Sequence, residues 1–123
     1  MHYFQGDERA AEVCIELGMY ISLAKPLLRQ PELQEIATSL PMENIVLETD
    51  TYPQPFKAKR ENWTEPKDVR QVAMKLADLK GITLEEVETT TTANFLAMCL
   101  QGGAPGRSEV LDEVLLNDLP KPQ

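Results

Sequence analysis

Two carboxylates that follow an apolar run in the middle of the chain are the first candidates for chemistry. Glu48 and Asp50 come directly after Ile45-Val46-Leu47, and a turn containing Pro53 follows them. A short run rich in β-branched residues is typical of a buried strand, and side chains two residues apart on a strand point to the same side. In α/β proteins, ligands bind at the carboxyl ends of the strands. We therefore interpret Glu48 and Asp50 as site residues; the alternative is that Asp50 only caps the turn before Pro53.

His2 is the only histidine of the sequence and the next candidate. It lies near the end of a predicted first strand, and the carboxyl ends of parallel strands face one common crevice. Imidazole and carboxylate are both ligands for divalent cations, so His2 and Asp50 are predicted to share one. Two ligands are fewer than the three that a catalytic zinc site usually takes from the protein. The alternative is that this lone histidine is structural or simply exposed.

The loop from Thr51 to Thr64 is the most basic and most aromatic part of the chain. Its cations are Lys57, Lys59 and Arg60, and its aromatic residues are Tyr52, Phe56 and Trp63. Cations interleaved with rings predict a grip for a phosphate backbone, with bases stacked on the rings. The alternative is a solvated loop whose aromatic side chains cover its own base.

The elements that must position these residues follow the order strand, helix, strand, helix, strand. The predicted strands are Met1–Phe4, Met19–Leu23 and the run ending at Asp50, and the predicted helices are Asp7–Leu17 and Pro31–Leu40. Asp7 is a good helix N-cap, and connections this short favour right-handed parallel crossovers. The fold class is therefore predicted to be α/β with about three parallel strands.

Two more helices and a distinct tail follow the basic loop. The apolar spacing from Val69 to Leu79 predicts an amphipathic helix, and a capping box at Thr83–Glu86 begins a last helix that ends near Leu100. We therefore divide the chain into residues 1–100 and an acidic tail, residues 101–123. The tail carries an apolar stripe, made of Val110, Leu111, Val114 and Leu115. It is predicted to form a short docking helix, or alternatively to stay disordered.

The bulk composition excludes several classes of function. The 123 residues include 20 acidic and 12 basic side chains, and the net charge of -8 opposes nucleic-acid binding by bulk electrostatics alone. The sequence has no phosphate loop, dinucleotide fingerprint or Gly-x-Ser-x-Gly elbow, so no organic cofactor is predicted. No apolar run is long enough to span a bilayer, and no signal peptide is recognisable. Cys14 and Cys99 are predicted to be buried free thiols, so we expect a cytoplasmic protein with no membrane partner.

Four motifs, in this order along the chain, resemble the C-terminal part of the TatD family of metal-dependent deoxyribonucleases. They are His2-Tyr3-Phe4-Gln5-Gly6, Leu47-Glu48-Thr49-Asp50, Asn62-Trp63-Thr64-Glu65-Pro66 and Thr92-Ala93-Asn94-Phe95. The resemblance covers Met1 to about Leu100. It implies an amidohydrolase-like (β/α)8 TIM barrel, a DNA substrate and a divalent metal, either Mg, Mn or Zn.

The resemblance also implies roles for individual residues. His2 corresponds to the metal ligand at the end of the sixth barrel strand, and Asp50 to the aspartate at the end of the eighth. That aspartate binds metal and helps to activate the attacking water, and Glu48 is its partner one step deeper in the barrel. Glu65 belongs to the family's Arg-Asn-Glu-Pro loop, which is stretched in this chain to Arg60–Pro66.

The family features that precede His2 do not occur in this sequence. They include a His-x-His pair, a bridging glutamate and another histidine. A closed barrel takes roughly 250 residues, so about three of its eight strands are expected here. Because the chain has one histidine, we expect weak or no activity from the chain alone. We also expect its open sheet edge to self-associate or to bind a partner chain. Two alternatives remain: a non-catalytic interaction module completed by a partner, and another metal-dependent hydrolase that acts on amides or esters.

Overall fold

The computed structural model describes residues 1–51, 54–59 and 63–101, and the elements named below belong to these ranges. The helices are α1 (Glu8–Glu16), α2 (Pro31–Ser39), α3 (Val69–Lys80) and α4 (Leu84–Gln101), and the strands are β1 (Ile21–Leu23) and β2 (Ile45–Leu47). Short 3-10 turns precede α2, β2 and α3, at Lys25–Leu28, Met42–Asn44 and Pro66–Asp68. The apolar stripe predicted in the tail lies outside the described residues.

The two strands pair in parallel, as the short apolar runs predicted. Ile21 lies opposite Ile45, and Leu23 lies opposite Leu47. The pairing extends one residue beyond β2, because the Glu48 amide donates to the Leu23 carbonyl at 3.0 Å. Both strands are flanked by helices along the chain, so the described residues form an α/β unit with parallel strands.

The predicted strand at Met1–Phe4 is wrong, because His2 and Tyr3 form a turn. Tyr3 has a φ of 48°, which lies in the left-handed region and outside the extended conformation of a strand. The segment is nevertheless bonded to β1: the Ser22 amide donates to the Met1 carbonyl, and the Phe4 amide donates to the Ser22 carbonyl, both at 2.9 Å. These bonds hold His2 beside β1 even though the described residues contain two strands rather than three.

The helices begin and end where the local sequence predicts. Asp7 caps α1 by accepting from the Ala10 amide at 2.8 Å. Gly81 ends α3 in the left-handed conformation, with a φ of 63°, where a side chain would be strained. The capping box before α4 is reciprocal, since Glu86 N–H donates to the Thr83 hydroxyl at 3.1 Å and Thr83 N–H to the Glu86 carboxylate at 2.7 Å.

Asn94 fastens α4 to the strand that carries the candidate acids. Its side-chain amide donates to the carbonyls of Met42 and Ile45, each at 2.8 Å. Ile45 begins β2 and is fully buried. The asparagine of the last motif therefore fixes the position of the strand that leads to Glu48 and Asp50.

The core lies between the strands and the buried faces of the helices. Its fully buried large side chains include Ile21, Leu23, Leu27, Ile45, Val72, Leu76 and Val87. Cys14 is a buried free thiol, as predicted; Cys99 is also a free thiol, but its predicted burial is wrong. Cys99 is exposed because it lies in the last turns of α4, where Leu96 and Leu100 are exposed as well. Within the described ranges, no helix combines the length and apolar content that a membrane crossing requires.

Candidate metal centre

His2 and Glu48 form a close pair at the carboxyl end of the strands. The His2 Nδ1 atom lies 2.7 Å from Glu48 Oε1 and 2.9 Å from Oε2. An ionised carboxylate can only accept, so Nδ1 is the donor and the other ring nitrogen, Nε2, keeps its lone pair when the imidazole is neutral. The His2 side chain is 72% exposed and that of Glu48 is 18% exposed. Glu48 thus orients an imidazole that remains open to solvent.

Ser22 supports this pair from β1. Its hydroxyl donates to Glu48 Oε2 in a short hydrogen bond, and the residue itself is buried. The contact crosses from β1 to the end of β2, so the parallel pairing of the strands is what brings the two residues together. The result is a chain of contacts from Ser22 through Glu48 to His2. A carboxylate that fixes one ring nitrogen is the usual arrangement behind a metal-ligating histidine.

Asp50 lies in the wall of a second feature, which we call the polar cleft. The polar cleft has a volume of about 390 Å³ and is lined by Tyr3, Lys25, Leu28, Arg29, Asp50, Gln54, Lys57 and Thr64. Tyr3 is the chain neighbour of His2, so the cleft adjoins the His2–Glu48 pair. Asp50 is exposed. No hydrogen bond or ion pair joins Asp50 to His2 in the part of the chain that the structure describes.

The donor types fit a divalent metal, but their number fits only part of a metal site. His2 offers an imidazole nitrogen and Asp50 offers carboxylate oxygens, which are ligands that Zn²⁺ and Mn²⁺ accept. Among residues 1–51, 54–59 and 63–101, no group of three or more His, Cys, Asp or Glu side chains is placed to hold a metal. The described residues therefore fit two ligands and their support, rather than a complete metal centre.

The residues of the predicted substrate loop are divided among different environments. Lys57 is half-buried in the wall of the polar cleft, Lys59 is exposed and Trp63 is half-buried. Phe56 is largely exposed, so its ring does not cover the base of the loop. Arg60 lies outside the described residues.

Glu65 has a local structural role. Its backbone amide donates to Asp68 Oδ2 at 2.8 Å, and its side chain accepts from the Asp68 backbone, so the two residues cap the turn that precedes α3. Its carboxylate also lies 2.9 Å from Lys67 Nζ, and this hydrogen bond raises the pKa of Lys67. The position predicted for substrate contact is therefore engaged in capping.

The structure adds residues that the sequence reasoning missed. Lys25 and Arg29 line the polar cleft from the turn after β1, and Gln54 lines it from the loop after β2. Lys25 Nζ donates to the Thr64 hydroxyl at 3.0 Å and lies 3.7 Å from Asp68 Oδ2. A lysine two residues after an apolar strand was a usable signal, since polar residues at that end of a strand face the crevice.

The parallel strands, the helices beside them and the polar residues at the strand ends define part of a (β/α)8 barrel. The structure is similar to that of a TatD family hydrolase from Entamoeba histolytica, with a TM-score of 0.66 and 21% identity over 77% of this chain and 40% of that one. It is also similar to YJJV, a TatD homologue from Escherichia coli K12, with a TM-score of 0.65 and 23% identity over 76% of this chain and 37% of that one. These likenesses confirm the predicted fold class.

Residues 1–99 match the family described as TatD related DNase, so the chain belongs to the TatD family. It is 33% identical over 99 residues to the uncharacterized metal-dependent hydrolase YabD of Bacillus subtilis, covering 76% of this chain and 38% of that protein. It is 30% identical over 98 residues to human deoxyribonuclease TATDN3, covering 80% of this chain and 35% of that protein. The chain thus spans little more than a third of the length of these relatives. The family match confirms the resemblance that the four motifs predicted.

Proposed function

We propose that the chain provides part of a metal-dependent DNA hydrolase site, with His2 and Asp50 as two of its metal ligands. The observation that carries the proposal is the 2.7 Å contact between His2 Nδ1 and Glu48, at the end of the strands where the polar cleft begins. Relatives named deoxyribonuclease and metal-dependent hydrolase support the reaction class. A divalent ion at this position, Mg²⁺, Mn²⁺ or Zn²⁺, supplies Lewis-acid stabilisation of the charge that develops on a phosphodiester.

The chain's own residues orient the ligands. Glu48 accepts the Nδ1 proton of His2 and fixes the ring so that Nε2 is the nitrogen left for ligation. Ser22 holds the Glu48 carboxylate in place by donating to Oε2. Asp50 provides exposed carboxylate oxygens that can bind a cation and accept a proton from an attacking water.

The chain alone is expected to have weak or no hydrolytic activity. The sequence contains one histidine, and the described residues offer two ligands where a catalytic site uses at least three. Further ligands must therefore come from outside the described residues. Robust Mg²⁺- or Mn²⁺-dependent release of nucleotides by the purified 123-residue chain, abolished by Asp50→Asn, would show that its own residues complete the site.

The proposed function is tested by completing the site in a chimera. Residues 1–100 of this chain replace the segment of human deoxyribonuclease TATDN3 to which they align. The chimera is expected to cleave DNA in the presence of metal, and Asp50→Asn is expected to abolish cleavage while the circular dichroism spectrum is unchanged. Glu85→Gln, which removes an exposed carboxylate of α4, is the matched control and is expected to leave activity intact.

A chimera that folds, binds metal and fails to cleave DNA contradicts the proposal. If the same chimera hydrolyses a simple ester or amide instead, the reaction belongs to the wider class of metal-dependent hydrolases. Metal content measured on the folded chimera separates these outcomes from a simple failure to assemble, since an assembled site retains metal through gel filtration.

A second candidate function, an interaction module, is favoured by one specific observation. A cavity of about 410 Å³, which we call the apolar groove, is lined by Leu47, Val69, Arg70, Ala73, Glu88, Thr91, Thr92 and Phe95. Phe95 is 52% exposed although it is a large aromatic side chain. A contiguous apolar surface of this kind is typical of a site that another segment or chain covers.

A further inference from the structure

We propose that the polar cleft binds one nucleotide of the substrate, with its phosphate on Lys25, Arg29 and Lys57 and its sugar or base on Gln54. This inference rests on the proposed function, because it names the substrate group that lies beside the metal ligands. The residues that it names would bind the nucleotide in the absence of metal. Nucleotide binding can therefore be tested independently of DNA hydrolysis.

The charge of the cleft is opposite to that of the chain. Among the described lining residues are three cations, Lys25, Arg29 and Lys57, and one carboxylate, Asp50, whereas the whole sequence has a net charge of -8. Like charges gathered in one concave site repel each other, and an anion in the site relieves that repulsion. In the described part of the chain, no carboxylate forms an ion pair with Arg29. Arg29 is therefore available to bind a phosphate in the bidentate manner that its planar guanidinium allows.

Lys25 is held in a fixed position in the cleft wall. Its ammonium donates to the Thr64 hydroxyl at 3.0 Å and lies 3.7 Å from Asp68, and its side chain is about one-third exposed. An ammonium has three donors, so these contacts leave it able to donate to a ligand as well. Because a fixed cation loses little side-chain entropy when an anion binds, Lys25 is well suited to anchor a phosphate.

Gln54 provides a second, independent indication of a ligand. The residue is 4% exposed, and among the residues that the structure describes its buried Oε1 atom has no hydrogen-bond partner. Buried polar atoms are almost always hydrogen-bonded, because an unpaired one has lost water without replacement. Inorganic phosphate offers mainly acceptors, whereas sugar hydroxyls and base amino groups offer the donors that Oε1 needs. This amide oxygen therefore points to a nucleotide rather than to a bare phosphate.

The size and position of the cleft agree with a single nucleotide. Its volume of about 390 Å³ falls within the range of small-molecule sites and is too small for a duplex. Tyr3 and Asp50 form part of the wall, so a bound phosphate lies close to the proposed metal ligands. Tyr3 adopts a left-handed conformation that is costly for a residue other than glycine. Such strained residues cluster at ligand sites.

The full chain is titrated separately with thymidine 5′-monophosphate, inorganic phosphate and thymidine in the presence of EDTA. Binding is measured from the changes in the NMR chemical shifts of the backbone amides. Thymidine monophosphate is expected to bind saturably and more tightly than either of its parts. Arg29→Gln is expected to weaken it about tenfold, the equivalent of one charge-assisted hydrogen bond. Arg9→Gln removes an exposed arginine of α1 with the same change in net charge, so it is the matched control and is expected to leave the affinity unchanged.

Gln54→Met tests the amide with little change in side-chain volume. The substitution is expected to weaken the binding of thymidine monophosphate while leaving the affinity for inorganic phosphate unchanged. The NMR amide spectrum of the variant reports whether it is folded. The inference is overturned if no phosphate compound binds saturably, if Arg29→Gln and Arg9→Gln weaken binding equally, or if inorganic phosphate binds as tightly as the nucleotide. Since EDTA removes divalent metal, none of these results depends on whether the chain takes part in hydrolysis.

Discussion

The polar cleft and the apolar groove are similar in size but opposite in chemistry. The cleft has a volume of about 390 Å³ and is lined by charged side chains from the segments that follow the strands. The groove has a volume of about 410 Å³ and is lined mainly by apolar and threonine side chains of α3, α4 and the end of β2. Polar residues at strand ends are suited to bind a ligand, whereas an apolar flank is suited to be covered by protein.

The polar groups of the two regions are supported in different ways. Around the cleft, Glu48 is bonded to His2 and Ser22, and Lys25 is bonded to Thr64. At the groove, Arg70 and Glu88 form a long ion pair of 3.7 Å, and the Thr91 hydroxyl donates to the Val87 carbonyl at 2.8 Å within α4. Among the described residues, the contacts around the cleft thus join side chains from several segments, whereas those of the groove are one long ion pair and one hydrogen bond within a single helix.

Leu76→Ala is expected to have the largest effect, because α3 supports both regions. Leu76 is fully buried, and α3 packs against both α4 and the turn that carries Lys25. Truncating a buried leucine to alanine removes packing and leaves a cavity, so the free energy of unfolding should fall by about 3 kcal/mol. Urea denaturation followed by circular dichroism measures the change.

The matched control for this prediction is Met74→Ala on the same helix. Met74 is exposed, so its truncation should change stability by less than about 1 kcal/mol. Equal losses for the two variants would mean that α3 does not pack on the two regions as the structure has it.

Glu48→Gln is expected to affect the site more than the fold. The substitution removes the charge that fixes the His2 ring, and loss of such a supporting carboxylate lowers metal affinity about 10–100-fold. Isothermal titration with Mn²⁺ measures the affinity. Glu85→Gln removes an exposed carboxylate with the same charge change and should leave the affinity within about twofold of the parent, since it lies outside the site. If the Mn²⁺ affinity decreased slightly and equally in both variants, Glu48 would contribute only through the net charge of the chain.

The groove prediction concerns the part of the acidic tail that follows Gln101, the last residue of α4. We propose that this part, residues 102–123, covers the groove. The tail follows α4 directly, and the exposed Phe95 and Leu100 of that helix lie next to its start in the sequence. A chain ending at Gln101 is therefore expected to self-associate more strongly than the full chain. Phe95→Ser in the shorter chain is expected to reverse that association. Size-exclusion chromatography over a concentration series compares the two chains. If both run as compact monomers, neither covering of the groove by the tail nor self-association through the groove occurs.

Arg70→Gln is expected to have the smallest effect. Both Arg70 and Glu88 are largely exposed, and exposed ion pairs contribute about 0–1 kcal/mol to stability. Thermal unfolding should therefore be nearly unchanged, and so should the association of the shorter chain. If Arg70→Gln changed the association as much as Phe95→Ser, the groove would bind through its charged side chains rather than through its apolar ones.

The helices were predictable from sequence because their signals are local. Asp7 caps α1, Gly81 ends α3, and Thr83 and Glu86 cap α4, each within a few residues of the helix it limits. The turn at Tyr3 was not predictable, since an apolar and aromatic stretch favours a strand. Contacts with residues distant in the sequence, in β1 and at Glu48, hold this segment in another conformation.

The candidate site was predictable only where a residue type was itself informative. His2 and Glu48 were singled out as a lone imidazole and a carboxylate at a strand end. Ser22, Arg29 and Gln54 were not, because their importance depends on which segments the parallel pairing brings together. A serine inside an apolar strand was the weak signal available, and it became meaningful only when Glu48 was placed beside it.

The most direct measurement of the central claim is the site of metal binding in the full chain. Mn²⁺ broadens NMR signals of nearby nuclei, so a titration maps where it binds. Broadening is predicted to centre on His2 and Asp50 and to be lost in His2→Asn and in Asp50→Asn, while Glu85→Gln retains it. Broadening spread over the acidic surface, and equal in all three variants, would contradict the assignment of His2 and Asp50 as metal ligands.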